Sequence, residues 1–244
     1  MRYKRILVKL SGGALAGDDG WGFSPKAVEH IADEVLDLHG MGAEVGVVIG
    51  GGNIFRGELG EQWGIERAEA DNIGMLATVI NGLMLRGALT ARGEGSDVRV
   101  MTAIPINAVA EPYIRLRAIS HMESGRIVIL VAGTGNPYVT TDYPAVQRAL
   151  ELRADALLAA KNGVDGIYTA DPRRDPAARR YRCLAYDTVI HRNLRALDQS
   201  AVLLARDHRL PIHVFDFDQP GALRRICLGE DVGTVIVDNG DVLA

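Results

Sequence analysis

Arg5-Ile-Leu-Val-Lys-Leu-Ser-Gly-Gly13 is a short apolar run that ends in glycines, and residues 44–57 repeat this pattern as Glu-Val-Gly-Val-Val-Ile-Gly-Gly-Gly-Asn-Ile-Phe-Arg-Gly. Continuous apolar runs of this kind are typical of strands that are buried on both faces of a parallel sheet. Similar runs occupy residues 98–101, 127–131, 156–159, 212–215 and 234–237.

Longer helix-like segments separate these runs, at residues 25–38, 66–89, 112–123, 142–152 and 199–208. Alternation of strands and helices produces βαβ units and a parallel sheet covered by helices. The sequence therefore predicts an α/β fold, a three-layer α/β/α sandwich with a mainly parallel central sheet, as one domain over residues 1–244.

The composition of the 244 residues is that of a folded soluble protein, with 48% hydrophobic and 24% charged residues. The net charge of −4 argues against general attraction to nucleic acid or to an anionic membrane surface, which both require a basic face. Cys183 and Cys227 form no CxxC pair, and the N-terminal residues resemble neither a signal peptide nor a membrane span. We expect a cytoplasmic protein with no nucleic-acid or membrane partner.

Glycine-rich turns follow three of the predicted strands, at residues 11–13, 50–57 and 132–137. Ligands of α/β proteins lie at the carboxyl ends of the strands, and glycines there allow backbone N–H groups to approach phosphate oxygens. One such turn is more often a tight connection, but three at separate strand ends indicate bound phosphates.

Two common nucleotide-binding patterns are absent from the sequence. The P-loop pattern GxxxxGK[ST] fails because no lysine follows a glycine, which excludes a Walker-type NTPase. The dinucleotide pattern GxGxxG fails after the second strand, where Phe55 occupies the place of the last glycine, so a Rossmann dehydrogenase is disfavoured.

Lys9 and Lys161 lie at the ends of apolar runs, where an ammonium group is costly to bury without an anionic partner. Phosphoryl transfer spreads negative charge over the oxygens of the moving group, and fixed cations stabilise that charge. A bound phosphate would therefore suit both lysines; the alternative is a buried structural ion pair.

Four segments carry a resemblance to a known family: residues 50–57 (Gly-Gly-Gly-Asn-Ile-Phe-Arg-Gly), 74–78 (Gly-Met-Leu-Ala-Thr), 132–137 (Ala-Gly-Thr-Gly-Asn-Pro) and 164–172 (Val-Asp-Gly-Ile-Tyr-Thr-Ala-Asp-Pro). Over nearly its whole length the sequence resembles the bacterial uridylate kinases of the amino acid kinase superfamily. The resemblance implies the amino acid kinase fold and transfer of the γ-phosphoryl group of ATP to UMP with Mg²⁺. It also implies a homohexamer built from dimers, and GTP as an activator and UTP as an inhibitor are candidate regulators.

The resemblance also implies which residues form the site. The implied ATP contacts are Lys9, Leu10, Ser11, Gly12, Gly52, Arg56, Asn162, Tyr168 and Asp171. The implied UMP contacts are Gly51, Asp71, Thr134, Gly135, Asn136, Pro137, Tyr138, Val139, Thr140 and Thr141. The implied catalytic cations are Lys9, Arg56 and Lys161.

Three aspartates have a structural alternative beside their implied role. Asp71 could accept hydrogen bonds from ribose hydroxyls, or it could cap a helix or be a surface charge. Asp142 and Asp198 match family positions near the active site and are candidates for holding Mg²⁺, directly or through water, yet each also opens a predicted helix.

The chain departs from the family pattern in two places. Gly13 occupies the position of the usual glutamate after Lys-Leu-Ser-Gly, and the loop Lys161-Asn162-Gly163 resembles a longer variant of its counterpart. The first change removes a charge beside the predicted phosphate turn; the second leaves the contact of Lys161 less defined than that of Lys9.

Other functions remain possible from the sequence. Another member of the superfamily could phosphorylate a carboxylate or carbamate, and a catalytically silent relative could only bind nucleotides. The arginine-rich residues 171–182 are either a solvated loop or a flap beside the nucleotide.

Overall fold

The computed structural model describes residues 1–17, 20–194, 196–238 and 240–244. Within these residues ten strands form one sheet. The strands are β1 (Arg5–Leu10), β2 (Glu44–Ile49), β3 (Val98–Thr102), β4 (Glu111–Pro112), β5 (Ile127–Val131), β6 (Ala156–Lys161), β7 (Tyr181–Ala185), β8 (Ile212–Asp216), β9 (Thr234–Val237) and β10 (Val242–Leu243).

The strand order across the sheet is β10-β7-β9-β8-β6-β1-β2-β5-β3-β4. All neighbours are parallel except β8 with β9 and β10 with β7. The expectation of a mainly parallel sheet is therefore confirmed, and the four central strands β6, β1, β2 and β5 end at the same edge.

Eight α-helices connect the strands in the described residues, and a short 3-10 helix, Gly12–Leu15, follows β1. The α-helices are α1 (Pro25–Gly40), α2 (Gly57–Gln62), α3 (Arg67–Arg92), α4 (Arg115–Glu123), α5 (Asp142–Glu151), α6 (Tyr186–His191), α7 (Gln199–Asp207) and α8 (Ala222–Leu228).

Two apolar clusters lie on opposite faces of the sheet. On one face, alternate side chains of β1, such as Ile6 and Val8, pack with α1, α3 and α8. On the other face, Leu7 and its neighbours pack with α4, α5, α6 and α7. Because successive strand residues point to opposite faces, each central strand contributes to both clusters, and the predicted three-layer α/β/α sandwich is confirmed.

Most predicted elements agree with the structure. The strands predicted at residues 44–49, 127–131 and 234–237 have the observed bounds, and Ser24 caps α1 by accepting a hydrogen bond from the Ala27 N–H ahead of Pro25 at the first helical position. The prediction was incomplete where elements are short: it omitted β4, β7, β10, α2, α6 and α8. Residues 181 and 182, expected to be irregular, begin β7.

Helix α3 is long and apolar enough, by length and composition alone, to cross a membrane. A core helix of a soluble protein meets the same criterion, so this single match is weak evidence. In the structure, α3 lies against the sheet through a buried face that includes Leu85 and Leu89, while Leu76, Ile80 and Met84 are exposed on its other side.

Candidate active site

The glycine-rich turns after β1, β2 and β5 meet at one edge of the sheet because their strands are parallel neighbours. Gly12 lies against the turn after β2 so closely that a Cβ atom on it would be 2.5 Å from the Gly52 nitrogen and 2.8 Å from the Gly50 oxygen. Only glycine permits this backbone approach. The two turns thus form one continuous backbone surface.

Lys9 and Lys161 project from neighbouring strands on the same face of the sheet. Lys9 of β1 is paired with Ala159 of β6, and Lys161 is two residues beyond Ala159, so the pleat directs both lysines to the same side. The Lys9 Nζ is 2.9 Å from Asp142 Oδ1, at the start of α5. The ion-pair alternative for Lys9 is therefore present in the structure, at the edge where the glycine turns meet.

Burial lowers the pKa of Lys161 from its ordinary value, and the nearby positive charge of Lys9 lowers it further. The carboxylates of Asp142 and Asp198 oppose this shift. Two ammonium groups close together with little solvent are a strained arrangement that an additional anion would relieve. The electrostatics of this edge thus favour an incoming phosphate.

Asp142 and Asp198 are connected through the Asp198 backbone N–H and through Thr140. The Asp198 N–H donates to Asp142 Oδ2 at 3.2 Å, and the Thr140 hydroxyl donates to Asp198 Oδ2. Asp142 is the first residue of α5 and Asp198 is the N-cap of α7, whose side chain makes no capping bond. Both helix-start alternatives therefore describe the backbone correctly, and both carboxylates still face the lysines.

Two adjacent carboxylates fit Mg²⁺, which usually binds one or two protein carboxylates and completes its shell with water and phosphate oxygens. Among the described residues no group of three or more His, Cys, Asp or Glu side chains could hold a metal ion by itself. This donor set suits an ion that arrives with a nucleotide rather than one held by protein ligands alone.

A first cavity, of about 140 Å³, lies beside the turns after β2 and β5. Six residues implied to contact UMP line it: Gly51, Asp71, Asn136, Val139, Thr140 and Thr141. Gly52, implied on the ATP side, lines it as well. Thr134, Gly135, Pro137 and Tyr138 belong to the same loop but do not line the cavity.

Asp71 connects helix α3 to the loop that encloses the first cavity. Its Oδ2 accepts a hydrogen bond from the Tyr138 backbone N–H at 2.7 Å, and both carboxylate oxygens lie 3.0 Å from Arg67 Nε. Asp71 is therefore neither a helix cap nor an isolated surface charge. A hydroxyl-bearing ligand in the cavity would meet a carboxylate that is already fixed in position.

The sequence did not reveal the apolar wall of the first cavity. Phe55, Gly74 and Met75 are among the lining residues. The one signal in the sequence is the resemblance of residues 74–78 to a family segment, which assigns them no role. In the sequence, the residues of such a wall resemble those of the hydrophobic core.

A second cavity, of about 740 Å³, opens on the other side of the β1 turn. Ser11, Gly13 and Asn162 line it together with residues that the sequence did not suggest, including Lys26 and His30. Gly13 has no side chain, which leaves this side of the turn open. Leu10, implied to contact ATP, has its side chain fully buried in the core, so only its backbone is available to a ligand.

The loop after β6 is attached to the loop after β8. Asn162 donates to Asp218, and the Gly163 N–H donates to Asp216 and Asp218. Farther along, Tyr168 donates to Asp165 at 2.7 Å, which raises the pKa of Tyr168, and Asp171 is exposed. Tyr168 and Asp171 do not line the second cavity.

Arg56 is held against the segment before α1. Its guanidinium lies 4.9 Å from the Trp21 ring centroid, and it donates to the backbone oxygens of Gly20 and Gly52, each at 3.0 Å. Because Gly52 belongs to the β2 turn, Arg56 is next to the predicted phosphate surface. The N–H group that donates to the Gly20 oxygen could otherwise donate to a phosphate oxygen.

Known proteins resemble this chain in sequence and in structure. A model of the amino acid kinase family matches residues 4–216. The chain is 60% identical over 235 residues to a protein named uridylate kinase from Frankia casuarinae, covering 96% of this chain and 90% of that protein. It is 59% identical over 239 residues to a uridylate kinase from Frankia alni, covering 98% and 93%.

Solved structures of UMP kinases also resemble this chain. The crystal structure of UMP kinase from Bacillus anthracis superposes with a TM-score of 0.98 at 59% identity and covers 100% of both chains. UMP kinase from Ureaplasma parvum superposes with a TM-score of 0.90 at 32% identity, covering 97% of this chain and 100% of that one.

Proposed function

The chain belongs to the amino acid kinase family, and within that family we propose that it acts as a uridylate kinase, which transfers the γ-phosphoryl group of ATP to UMP and releases UDP and ADP. The single observation that carries this assignment is the 59% identity and complete overlap with the UMP kinase structure from Bacillus anthracis. The meeting of glycine turns, two lysines and two carboxylates at one sheet edge supplies its chemical basis.

In this proposal the two cavities hold the two nucleotides. UMP occupies the first cavity, with its ribose hydroxyls on Asp71 and the loop from Thr134 to Thr141 around it. The ATP phosphates lie along Ser11, Gly12 and Gly52, and the remainder of ATP extends toward the second cavity and Asn162. Contacts of ATP with Tyr168 and Asp171 require a ligand that reaches beyond that cavity.

The reaction requires a UMP phosphate oxygen in line with the γ-phosphorus of ATP. As the new P–O bond forms, the bond from the γ-phosphorus to its bridging oxygen breaks, and ADP leaves with the electron pair. Lys9, Lys161 and Arg56 stabilise the charge on the transferred group. No strong base is needed, because the second pKa of a phosphate monoester is about 6 and UMP is already ionised at neutral pH.

Mg²⁺, when bound with ATP, would neutralise phosphate charge, and Asp142 and Asp198 would hold it directly or through water. Asp142 would then exchange its contact with Lys9 for the ion, which frees the ammonium group for a phosphate oxygen. This exchange accounts for an ion pair at a position where the mechanism needs a cation.

Assembly and regulation form a separate part of the proposal. The exposed side of α3 forms an apolar groove lined by Ile80, Leu83, Met84, Gly87, Ala88 and Ala91. A groove of this composition suits burial against another copy of the chain, and a homohexamer is the assembly we propose. Light scattering measures it directly. We also propose a cytoplasmic location, and GTP and UTP as effectors to be tested in the kinetic assay.

The experiment that tests the function is a coupled ADP-release assay with ATP and Mg²⁺ across UMP, CMP, acetylglutamate, aspartate and carbamate. We expect rapid ADP release with UMP as the acceptor. ADP release with CMP should be absent or far slower. Turnover of one of the acids instead would identify another activity within the family. Nucleotide binding without ADP release on any acceptor would identify a catalytically silent binder.

A further inference from the structure

Two buried asparagine side chains form a reciprocal amide pair behind the β2 turn. Asn81 of α3 is 0% exposed and Asn53 of the turn is 1% exposed. The Asn81 Nδ2 donates to Asn53 Oδ1 at 2.7 Å, and the Asn53 Nδ2 donates to Asn81 Oδ1 at 3.1 Å. Neither residue lines either cavity, so neither can contact a nucleotide held there.

The remaining amide protons of this pair bind backbone oxygens on two loops. Asn81 donates to the Gly50 oxygen at 2.7 Å, and Asn53 donates to the Gly22 oxygen at 2.8 Å. Both N–H bonds of each amide are therefore used. Rotating either amide would place its oxygen against a carbonyl oxygen, so the network permits only one orientation.

One helical turn earlier, Thr78 holds the β5 turn in the same way. Its hydroxyl accepts a hydrogen bond from the Ala132 N–H at 2.7 Å and donates to the Met75 oxygen at 2.7 Å. Ala132 has a φ of 61°, a conformation that costs free energy for a residue with a side chain and needs support from its surroundings. Helix α3 thus holds the backbones of both turns that flank the first cavity.

Short polar side chains can reach these turns because α3 approaches the sheet closely at Gly82. A Cβ atom there would be 2.5 Å from Val131 Cγ1 of β5. The fixed position of Gly50 also affects the β1 turn, since Gly12 packs against Gly50, Gly52 and the Asn53 side chain. The amide pair is consequently one contact away from both phosphate-facing turns.

We propose that Asn81, acting through Asn53 and Gly50, is a positioning residue for phosphoryl transfer. This inference rests on the proposed function. Removing the Asn81 amide takes away the donor to the Gly50 oxygen and leaves the Asn53 amide with only its bond to the Gly22 oxygen. We expect the β2 turn to move relative to Gly12 as a result. A displacement of about 1 Å in a site that works by alignment can cost about 10²-fold in rate.

The test compares Asn81→Ala with Leu85→Ala as a matched control. Leu85 is a fully buried residue one turn farther along α3 that contributes only to the apolar core. Both variants are expected to unfold at lower temperature than the wild type. Steady-state kinetics for ATP and UMP are then measured well below both melting temperatures.

For Asn81→Ala we expect kcat to fall about 10-fold to 100-fold with KM for UMP changed much less, while Leu85→Ala keeps kcat within about two-fold of the wild type. If Asn81→Ala does not fold, Asn81→Ser, which leaves room for a bridging water, replaces it. Equal kcat values for the Asn81 variant and Leu85→Ala would reduce the network to a stabilising role and overturn the proposal.

Failure of the proposed function would look different. The wild-type chain would then not release ADP with UMP at all, and the same pair of variants would be compared on the acceptor that the wild type does use. A second, independent readout is the double variant Asn53→Ala with Asn81→Ala. Because the pair acts as a unit, its kcat should match that of the worse single variant rather than the product of both losses.

Discussion

Lys9 and Asp142 form an ion pair whose side chains are only 9% and 14% exposed, with 2.9 Å between Nζ and Oδ1. Replacing Lys9 by Ala should lower turnover by about 10²-fold or more if the ammonium group stabilises the transition state. It should also lower the melting temperature, because Asp142 loses its partner in a poorly solvated site. ADP release and thermal unfolding measure the two effects.

Lys9→Arg is the companion variant that separates these effects. Arginine can keep the ion pair with Asp142, so the melting temperature should stay near that of the wild type. Its planar fork is larger than an ammonium group and fits less well beside a single phosphate oxygen, so turnover should still fall. Unchanged turnover in Lys9→Ala would remove the catalytic role of Lys9.

Gly12 and Gly13 are neighbours with opposite tolerance for a side chain. A Cβ atom on Gly12 would collide with backbone atoms of Gly50 and Gly52, whereas one on Gly13 would meet only Ser11 Oγ, at 3.8 Å. We expect Gly12→Ala to separate the β1 and β2 turns, to weaken ATP binding and to reduce turnover severely. Gly13→Ala should leave both within about two-fold of the wild type, since it forces no rearrangement. Isothermal titration with ATP and the kinetic assay test the pair, and equal behaviour of the two variants would contradict this geometry.

Asp71→Asn should weaken UMP binding while ATP binding changes little. A hydrogen bond to a charged acceptor contributes about 1.5–3 kcal/mol, so the KM for UMP should rise roughly 10-fold to 100-fold. The exposed Glu69 lies on the same turn of α3, and Glu69→Gln is the control for loss of a nearby negative charge. If Glu69→Gln raises the KM for UMP as much as Asp71→Asn does, the role assigned to Asp71 is wrong.

His213 makes the fold sensitive to acid at a position that the reaction does not use. Burial lowers its pKa to about 3, and its Nε2 lies 2.9 Å from the Tyr3 hydroxyl. Between pH 6.5 and 3 the unfolded chain binds a proton that the native state excludes, so stability decreases as the pH falls through this window. From the ordinary value of 6.5 down to pH 5 the loss amounts to about 2 kcal/mol.

Urea unfolding at pH 7.5 and pH 5 measures this loss. His213→Gln cannot take up the proton, so its unfolding free energy should decrease less between the two pH values than that of the wild type. An equal decrease in both proteins would assign the acid sensitivity to other groups.

The central strands were predictable because each is a continuous apolar run, and β1, β2 and β5 are followed directly by glycine-rich turns. Strand β7 was not, because Tyr181-Arg-Cys-Leu-Ala185 follows an arginine-rich loop and takes its place in the sheet through pairing with β9 and β10. Helix α8 is short and begins directly after Pro220 and Gly221, which read as a turn. The local sequence pattern is a weak predictor of a strand or helix wherever that element depends on its tertiary contacts.

The candidate site was also predictable from the sequence only in part. Glycine turns and lysines at strand ends could be recognised from their spacing, since parallel strands bring them together. The contact between Asn53 and Asn81 could not, because it depends on the rotation of α3 about its axis and on the close approach at Gly82. Nor could the position of Arg56 beside Trp21, which needs a loop conformation that the sequence does not specify.

Gly12 has a further consequence for inhibitor design, since it lies between residues of the two cavities: its chain neighbour Gly13 lines the second cavity, and Gly52, against which it packs, lines the first. A single molecule that joins a pyrimidine nucleoside to a purine nucleoside through a phosphate chain would cross that backbone ridge and fill both sides. Once one half is bound, the tether raises the local concentration of the other half to the millimolar range, so modest affinities of the two halves would multiply.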